Sequence, residues 1–415
     1  GRIPLYFMSW RPNRPDIWEE ALRRFTRAHP EVELIREIGP HSSTAYHDLL
    51  SQKLKNADAA LDVFFMDVIW PPEFAAAGWA LPLDGRFPPA EQARYLSGPL
   101  RANRYRGRVY GVPFRADAGL LYYRKDLLAQ YGFEPPRTWE ELVRQARVIL
   151  KGERGRRPAL RGYSGQFKQY EGLVCDMLEF IHSRGGALVD EEGARSRIAE
   201  VPALEAIRFV RDSIIGGIGS SALLTYQEPE SLALFVQGNA IFHRNWPYAW
   251  AIANDPARSR VAGRVGMAPL PHFEGGKSFS TLGGWAMGIS RYSRHPDLAW
   301  KFTRFMTSPE IQRIFALRGG FAPTRRELYE DPEVLARLPH MRQLYGILEA
   351  ATPRPRTPLY PRVSFALQLF FSRALSSRRE DLGALARRAG AEVEAALALA
   401  ARPGGESDGP RRGRP

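Results

Sequence analysis

Cysteine is almost missing from this chain of 415 residues, in which Cys175 is the only one. A single thiol cannot form an internal disulfide bond, and it offers no thiolate cluster for zinc or an iron–sulfur centre. Cys175 lies within a helical apolar pattern, which favours a packing role. The 8 histidines show no metal-binding spacing such as H-E-x-x-H. The sequence therefore predicts neither a metal site nor a bound cofactor.

Long apolar runs are also missing, although 44% of the residues are hydrophobic. A membrane-spanning helix needs about 18 or more consecutive apolar residues, so we expect the chain as given not to cross a bilayer. A signal peptide is not evident either, because residues 1–7 (GRIPLYF) have the pattern of a first strand. This start fits a cytosolic protein and equally a mature exported one, and the pattern leaves both open.

Motifs for nucleotide binding and for nucleophilic catalysis are absent from the sequence, which contains no P-loop and no G-x-S-x-G elbow. The glycine-rich segment 216–221 follows a helical pattern and lacks the third glycine of a dinucleotide fingerprint, so we interpret it as a helix stop. These absences favour a binding protein over an enzyme.

The net charge of +14 raises the question of nucleic-acid binding. Arginines are spread along the whole chain among acidic residues, however, and no compact basic and aromatic motif is present. We therefore interpret the charge as a compositional bias, which the 33 prolines share, and predict no nucleic-acid partner.

Strand and helix patterns alternate, which predicts crossover units and a largely parallel sheet. The alternation restarts after Pro113, so two α/β lobes are expected, as the chain length also suggests. Two long amphipathic helices close the fold, and the remainder 401–415 is expected to be disordered. The predicted strands are 3–9, 32–38, 61–66, 119–123 and 285–289. The predicted helices are 16–28, 44–56, 124–131, 168–184, 203–215, 361–375 and 381–399. A further helix is predicted to begin at the capping box 138–141.

The segment 242–250 (FHRNWPYAW) crowds three large aromatic rings around one proline. Pro247 suits the first position of a helix, which places Trp246 at the helix entrance and Tyr248 in the first turn. Tyrosine and tryptophan combine an apolar body with a hydrogen-bonding tip, as the faces and hydroxyls of a pyranose do. The alternative is that all three rings fill a core.

Two carboxylates lie at positions where ligands gather. Asp67 ends a buried strand, and the carboxyl edge of an open sheet is a common ligand site, although a helix cap is an equally good interpretation. Asp117 falls where the chain passes from the first lobe into the second, so its carboxylate would face a cleft between the lobes.

Two further segments have the composition of a binding surface. Gly283 and Gly284 precede Trp285, and glycine permits a ligand to approach the backbone closely. Arg354 lies in the stiff segment 353–358 (PRPRTP), which would hold its guanidinium as a fixed fork of donors. A plain structural connector is the competing interpretation of that segment.

Taken together, these stretches closely resemble the family 1 extracellular solute-binding proteins of sugar ABC transporters, in particular the trehalose/maltose-binding proteins. The resemblance extends in order to about residue 400 and is far more specific than any single motif. The stretches that carry it are 62–67 (DVFFMD), 78–84 (GWALPLD), 117–126 (DAGLLYYRKD), 168–176 (KQYEGLVCD), 238–250 (GNAIFHRNWPYAW), 268–273 (APLPHF), 281–285 (TLGGW) and 353–355 (PRP).

The resemblance implies a two-lobed α/β fold of the type II periplasmic-binding-protein class, with a hinge of several strands and a ligand cleft between the lobes. The chain would cross between lobes near Pro113, Pro271 and Phe321. The implied lobes are 1–114 with 272–321, and 115–271 with 322–400. The resemblance also implies a monomer that holds a disaccharide and delivers it to a membrane permease, with no cofactor. A free periplasmic protein is preferred, since a lipid-anchored form needs a cysteine at its mature start.

By position, the resemblance implies eight ligand-holding residues: Thr44, Asp67, Asp117, Trp246, Tyr248, Gly284, Trp285 and Arg354. The chain departs from the family pattern around Asn13, where Arg14 replaces an acidic residue. His47 stands where an arginine would face the sugar, and Arg115 stands where an aromatic residue would precede Asp117. These departures suggest that other α-linked glucosides, or glucose itself, are accepted.

The expected mechanism is closure of the two lobes on an α-glucoside. Two other classes of function remain open. A glycoside hydrolase also uses paired carboxylates, but Asp67 and Asp117 are expected to bind from separate places without a raised pKa. A binding protein for an anionic solute, such as glycerol phosphate or a phosphosugar, is suggested by Arg14, Arg115 and Arg354, and the aromatic rings argue against it.

Overall fold

A computed structural model of the chain describes residues 1–402. The predicted disordered tail therefore lies, from residue 403 onward, outside the described residues. Within the described part no helix is both long and apolar enough to span a membrane, and no three His, Cys, Asp or Glu side chains are grouped as a metal site.

Seventeen α-helices and eleven strands are present in residues 1–402. The strands are β1 Ile3–Ser9, β2 Val32–Ile38, β3 Val63–Asp67, β4 Arg104–Tyr105, β5 Arg108–Val109, β6 Val112–Ala118, β7 Leu120–Arg124, β8 Arg161–Ser164, β9 Ala240–Asn245, β10 Val265–Ala268 and β11 Leu282–Ile289. The helices are α1 Pro15–Ala28, α2 Ser43–Lys55, α3 Pro71–Ala76, α4 Pro89–Gln92, α5 Ser97–Ala102, α6 Lys125–Gln130, α7 Trp139–Glu153, α8 Glu171–Ser183, α9 Val201–Phe209, α10 Glu228–Val236, α11 Ala249–Ala253, α12 Pro296–Met306, α13 Pro309–Gly319, α14 Pro332–Arg337, α15 Met341–Glu349, α16 Tyr360–Ser376 and α17 Leu382–Ala401.

Several helices begin where the sequence places a start signal. The hydroxyl of Thr138 accepts a hydrogen bond from the Glu141 N–H at 3.1 Å, which caps α7 as predicted. Helix α9 continues as a π-helix, Val210–Ile218, and Gly219 follows its last residue. The helix therefore ends inside the glycine-rich segment, in agreement with its interpretation as a stop rather than a nucleotide loop.

Each lobe is built around one sheet. The first sheet has the order β2-β1-β3-β11-β6, and the second has the order β10-β7-β9-β8. Strands β1, β2 and β3 pair in parallel, but β11 runs antiparallel to both of its neighbours. The predicted largely parallel sheet is thus a mixed one, because β11 returns from the second lobe and enters the first sheet from the opposite end.

Three segments connect the lobes and run side by side. The first is the short link at Gly119 between β6 and β7, the second precedes β11, and the third follows α15. The Ser280 hydroxyl donates to the Gly119 carbonyl at 2.7 Å, and the Leu282 N–H donates to the Thr352 carbonyl at 2.8 Å. These bonds tie the three crossings into one hinge.

The sequence analysis placed the third crossing near Phe321, but in the structure it does not lie there. Ala322 forms a β-bridge with Ala116 of the first sheet, and the Thr324 hydroxyl donates to the Pro113 carbonyl at 2.9 Å. Helix α15 packs on β6, and the chain leaves the first lobe only after it. We therefore assign residues 322–349 to the first lobe, because Ala322 is bridged to β6 and α15 packs on the same strand.

Candidate ligand-binding cleft

One face of the first sheet carries most of the predicted polar residues. In the strand register, Trp285 of β11 lies opposite Asp67 of β3 on one side and opposite Arg115 of β6 on the other. Gly283 lies opposite Asp117. Directly opposed residues share a face, and residues two apart on a strand point the same way. All of these side chains therefore project from the same face, at the edge that leads into the second lobe.

The two glycines of this edge permit two close approaches. Gly284 has φ +129°, and a Cβ added there would lie 2.3 Å from the Arg115 carbonyl oxygen. A Cβ at Gly283 would lie 2.9 Å from Cζ3 of Trp246, which belongs to the second lobe. Glycine at these positions lets β6 pair with β11 and lets the indole of one lobe reach the backbone of the other.

Trp246 follows β9 of the second sheet and is held on two sides. The guanidinium carbon of Arg244 lies 4.1 Å from the centre of its ring, and its indole N–H donates to Glu228 Oε1 at 3.2 Å. Helix α11 begins only at Ala249, because Pro247 and Tyr248 form a turn. Trp246 is therefore fixed by stacking and a hydrogen bond rather than by the predicted helix entrance.

A second aromatic plate lies on the first lobe. Trp10 stacks on Trp285 with ring centres 4.1 Å apart and planes inclined by 19°. The Arg115 guanidinium carbon lies 5.0 Å from the centre of the Trp10 ring and 4.2 Å from the centre of the Phe321 ring. Arg115, which stands where the family pattern has an aromatic residue, is thus itself surrounded by aromatic rings. This cluster forms the first-lobe wall of the cleft.

Arg354 connects the two lobes at the base of the cleft. Its Nη1 donates to Glu171 Oε1 of the second lobe at 3.0 Å, and its Nη2 donates to the Leu282 carbonyl of the first lobe at 3.2 Å. Nη2 also lies 3.7 Å from Oδ1 of Asp67. The stiff segment therefore presents a guanidinium fork to both lobes, in addition to connecting them.

These groups line an inner cavity of about 100 Å³ between the lobes. Seven of the eight predicted ligand-holding residues line it, together with Asn13 and Arg115 from the secondary set. The full lining is Trp10, Asn13, His41, Ser42, Ser43, Asp67, Arg115, Asp117, Tyr170, Glu171, Gly172, Cys175, Glu228, Trp246, Tyr248, Gly283, Gly284, Trp285 and Arg354.

The remaining predicted residues lie elsewhere. Thr44 and His47 line a wider outer cavity of about 830 Å³, which shares Ser43 and Glu171 with the inner one. Burial alone would lower the pKa of His47, but the carboxylates of Glu73, 2.7 Å between Nε2 and Oε2, and of Asp48 together outweigh burial and raise it. Arg14 lines neither cavity, because it pairs with Asp16 at 2.8 Å and donates to a carbonyl of the same lobe.

Several buried polar atoms around the inner cavity have no hydrogen-bond partner within residues 1–402. They are Nε and Nη2 of Arg115, Oδ1 of Asp117 and Nε of Arg354. Buried polar atoms are nearly always hydrogen-bonded in folded proteins, since leaving one unpaired costs free energy. Donors and an acceptor around a cavity that two indoles also line suit a ligand that is rich in hydroxyl groups.

The two carboxylates of the inner cavity are less acidic than the sequence analysis expected. Burial raises the pKa of Asp67 to about 6 and that of Asp117 to about 7, although Arg354 and Arg115 each act in the opposite direction. The expectation of no raised pKa is therefore wrong, because both carboxylates are enclosed between the lobes and lose their hydration.

A pH experiment follows from Asp117. With a pKa of about 7, Asp117 keeps its proton in the folded protein at pH values where the unfolded chain, with a pKa of about 4, has released it. The protonated carboxyl therefore contributes fully to stability below about pH 4, and this contribution is lost as the pH rises through about 7. We expect Asp117→Asn to be more stable than the parent protein at pH 8, by about 2 to 4 kcal/mol.

The measurement is the free energy of unfolding by urea at pH 4, 6 and 8. The advantage of the variant should shrink toward pH 4, where both side chains are neutral. An exposed carboxylate, Asp297→Asn, is the matched control, with little expected change. A gap between the Asp117 variant and its parent that does not depend on pH would contradict the prediction.

Three groups of cavity residues were not predicted. Trp10 directly follows β1, so the rule that ligands gather at the carboxyl ends of strands would have found it. Tyr170 and Glu171 lie in the quoted stretch 168–176, where Glu171 is the first residue of α8. Glu228 at the start of α10 gives no sequence signal, because its role depends on the indole of Trp246 coming within hydrogen-bond distance.

Sequence comparison gives two independent matches. The chain matches the family described as bacterial extracellular solute-binding protein over residues 11–313. A relative in Deinococcus radiodurans, named "Probable ABC transporter-binding protein", is 36% identical over 319 residues, which cover 77% of this chain and 75% of the relative.

Solved structures give the same result for the fold. The maltose-bound MalE3 of T. maritima has a TM-score of 0.89 at 36% identity, covering 94% of this chain and 99% of that chain. A solute-binding protein of Thermotoga lettingae with bound alpha-D-tagatose has a TM-score of 0.86 at 22% identity, covering 96% of this chain and 100% of that one. The predicted two-lobed α/β fold is confirmed.

Proposed function

The chain belongs to the bacterial extracellular solute-binding protein family, and we propose that it captures an α-glucoside between its lobes and delivers it to the permease of an ABC transporter. The fold is that of the type II periplasmic binding proteins. The proposed ligand is an α-linked disaccharide such as maltose, trehalose or sucrose, with glucose as a smaller alternative. The proposed setting is the periplasm, and the proposed active form is a monomer.

The unpartnered polar atoms between two aromatic plates are the observation on which this proposal depends. Trp246 and Trp285 come from different lobes and offer apolar faces to a pyranose ring. Asp117 and Arg115 offer an unpaired acceptor and unpaired donors to its hydroxyls, and charged partners make such bonds stronger than neutral ones. Sugars combine apolar ring faces with a rim of hydroxyls, so they match both features together.

Lobe closure follows from where the contacts lie. A ligand held by Trp285 on the first lobe and by Trp246 on the second binds the closed state better than the open one, and so shifts the population. Moving a 1:99 population to 99:1 needs about 5.5 kcal/mol of differential affinity. A micromolar ligand supplies about 8 kcal/mol in total, which is sufficient.

Calorimetric titration with maltose, trehalose, sucrose and glucose tests the proposal. We expect binding of at least one of them in the micromolar range or tighter, with affinity nearly independent of salt, because a neutral sugar brings no charge to screen. The absence of heat with all four sugars would contradict sugar binding.

The same titrations separate the other two classes of function. An anionic solute would bind with strong salt dependence, and the inner cavity argues against one, because four carboxylates line it beside two guanidiniums. A glycoside hydrolase would release glucose from the disaccharide during incubation. The raised pKa values of Asp67 and Asp117 make that control necessary, since a general acid of such enzymes has this property.

A further inference from the structure

The outer cavity has walls from both lobes and lies next to the inner one. Its first-lobe wall includes Ile69 and Trp70, and its second-lobe wall is formed by α16 and α17. At about 830 Å³ it falls within the usual range of small-molecule sites, whereas the inner cavity alone, at about 100 Å³, is far below it. Ser43 and Glu171 border both cavities, so the two cavities lie next to each other.

The outer cavity differs from the inner one in having exposed apolar side chains. Phe365 of α16 is 59% exposed and Leu399 of α17 is 44% exposed, and both line this cavity. Large apolar side chains grouped at the surface mark sites that bind something. The opposite wall includes Ile69, which is half-buried, and Trp70, which is only 3% exposed, so Ile69 supplies most of the apolar surface on the second side.

Many polar side chains of the outer cavity already have partners. His47 pairs with Glu73 at 2.7 Å, and Gln368 donates to the Ser364 hydroxyl at 2.8 Å. The carboxylate of Glu171 accepts from Arg354, Tyr360 and Ser364. The inner cavity has unpaired donors and an unpaired acceptor for sugar hydroxyls, whereas four polar side chains of the outer cavity, His47, Glu171, Ser364 and Gln368, already have partners. An apolar group is therefore a better match there than another sugar ring.

We propose that the outer cavity binds the apolar aglycone of an α-glucoside, an aryl or short alkyl group, while the glucose unit occupies the inner cavity. The inference depends on the proposed sugar-binding function and specifies its ligand class. An aglycone attached to the glucose would pass Ser43 and Glu171 and lie between Ile69 and Phe365.

Titration of methyl, hexyl and phenyl α-D-glucoside tests this assignment on the intact protein. Burying one CH2 group strengthens binding by a factor of about four. We therefore expect the hexyl and phenyl glucosides to bind at least about tenfold more tightly than the methyl glucoside. Equal dissociation constants for the three glucosides would overturn the inference.

Two variants locate the preference in this cavity. Phe365→Ser should abolish most of the advantage of the phenyl glucoside and leave the dissociation constant of the methyl glucoside unchanged. Leu369→Ser is the matched control, because Leu369 lies on the same helix, is 36% exposed and is not part of the cavity lining. A preference that persists in Phe365→Ser, or that is lost equally in both variants, would overturn the inference.

The outcome also separates this inference from the function on which it depends. Binding of maltose or methyl glucoside without an aglycone preference would leave the sugar-binding function standing and overturn the aglycone site. No binding of any glucoside or disaccharide would overturn both.

Discussion

Replacing Trp246 with alanine is expected to weaken sugar binding by about 100-fold or more, the loss that an aromatic anchor at the centre of an interface typically causes. The indole is oriented before any ligand arrives, because Arg244 stacks on it and Glu228 accepts from its N–H. Its truncation removes an apolar plate from the cavity and leaves the Glu228 oxygen without that donor. Calorimetry with the tightest-binding sugar measures the loss.

Trp300→Ala is the matched control for this variant. Trp300 is also half-buried, but it lies on α12 of the first lobe, away from both cavities. The two alanine variants should unfold at similar temperatures, whereas only Trp246→Ala should lose affinity. An unaltered dissociation constant in Trp246→Ala would remove this residue from the site.

The sequence predicts much of this site because its residues lie at the boundaries of predicted features. Asp67 follows a predicted strand, whereas Asp117 was placed by the expected crossing between the lobes and Trp246 by the proline that follows it. The strands β6 and β9, which bring Asp117 and Trp246 to the cleft, were not predicted. Gly283 and Trp285 lie two residues apart on β11, and their place on the same face follows from the period of two in β-structure.

Other features depend on contacts between distant parts of the chain, which periodicity does not encode. The third crossing was misplaced because the link between Ala322 and Ala116 joins residues about 200 positions apart. The raised pKa values of Asp67 and Asp117 depend on enclosure by the second lobe. The outward face of α16 gave no signal, because a helix pattern does not show which apolar residue faces a cavity.

Arg244 is the residue whose loss should destabilise the fold most. It is 1% exposed, and its Nε donates to Glu179 at 2.7 Å and lies 3.2 Å from Asp176. Glu179 in turn accepts from the Thr281 N–H at 3.0 Å, on the segment that enters β11. The guanidinium thus stabilises two buried carboxylates and, through Glu179, the hinge.

We expect Arg244→Met to lower the free energy of unfolding by about 3 to 5 kcal/mol, because removing one partner leaves buried charge uncompensated. Guanidinium chloride unfolding of the intact protein measures this loss. Arg373→Met is the matched control: its ion pair with Glu380 is solvent-exposed, so a change below about 1 kcal/mol is expected. Equal losses in the two variants would contradict the role of burial.

The pH dependence distinguishes lost charge compensation from lost packing. Burial already raises the pKa of both Asp176 and Glu179, and Arg244 opposes that rise. Without the guanidinium both pKa values should rise further, so the folded variant holds protons that the unfolded chain releases. The stability of the variant should therefore fall more steeply than that of the parent as pH rises from 5 to 8.

Adding Glu179→Gln to Arg244→Met removes one uncompensated charge and should restore part of the stability at pH 8. A simple cavity left by the shorter side chain would give the same loss at every pH and no recovery in the double variant.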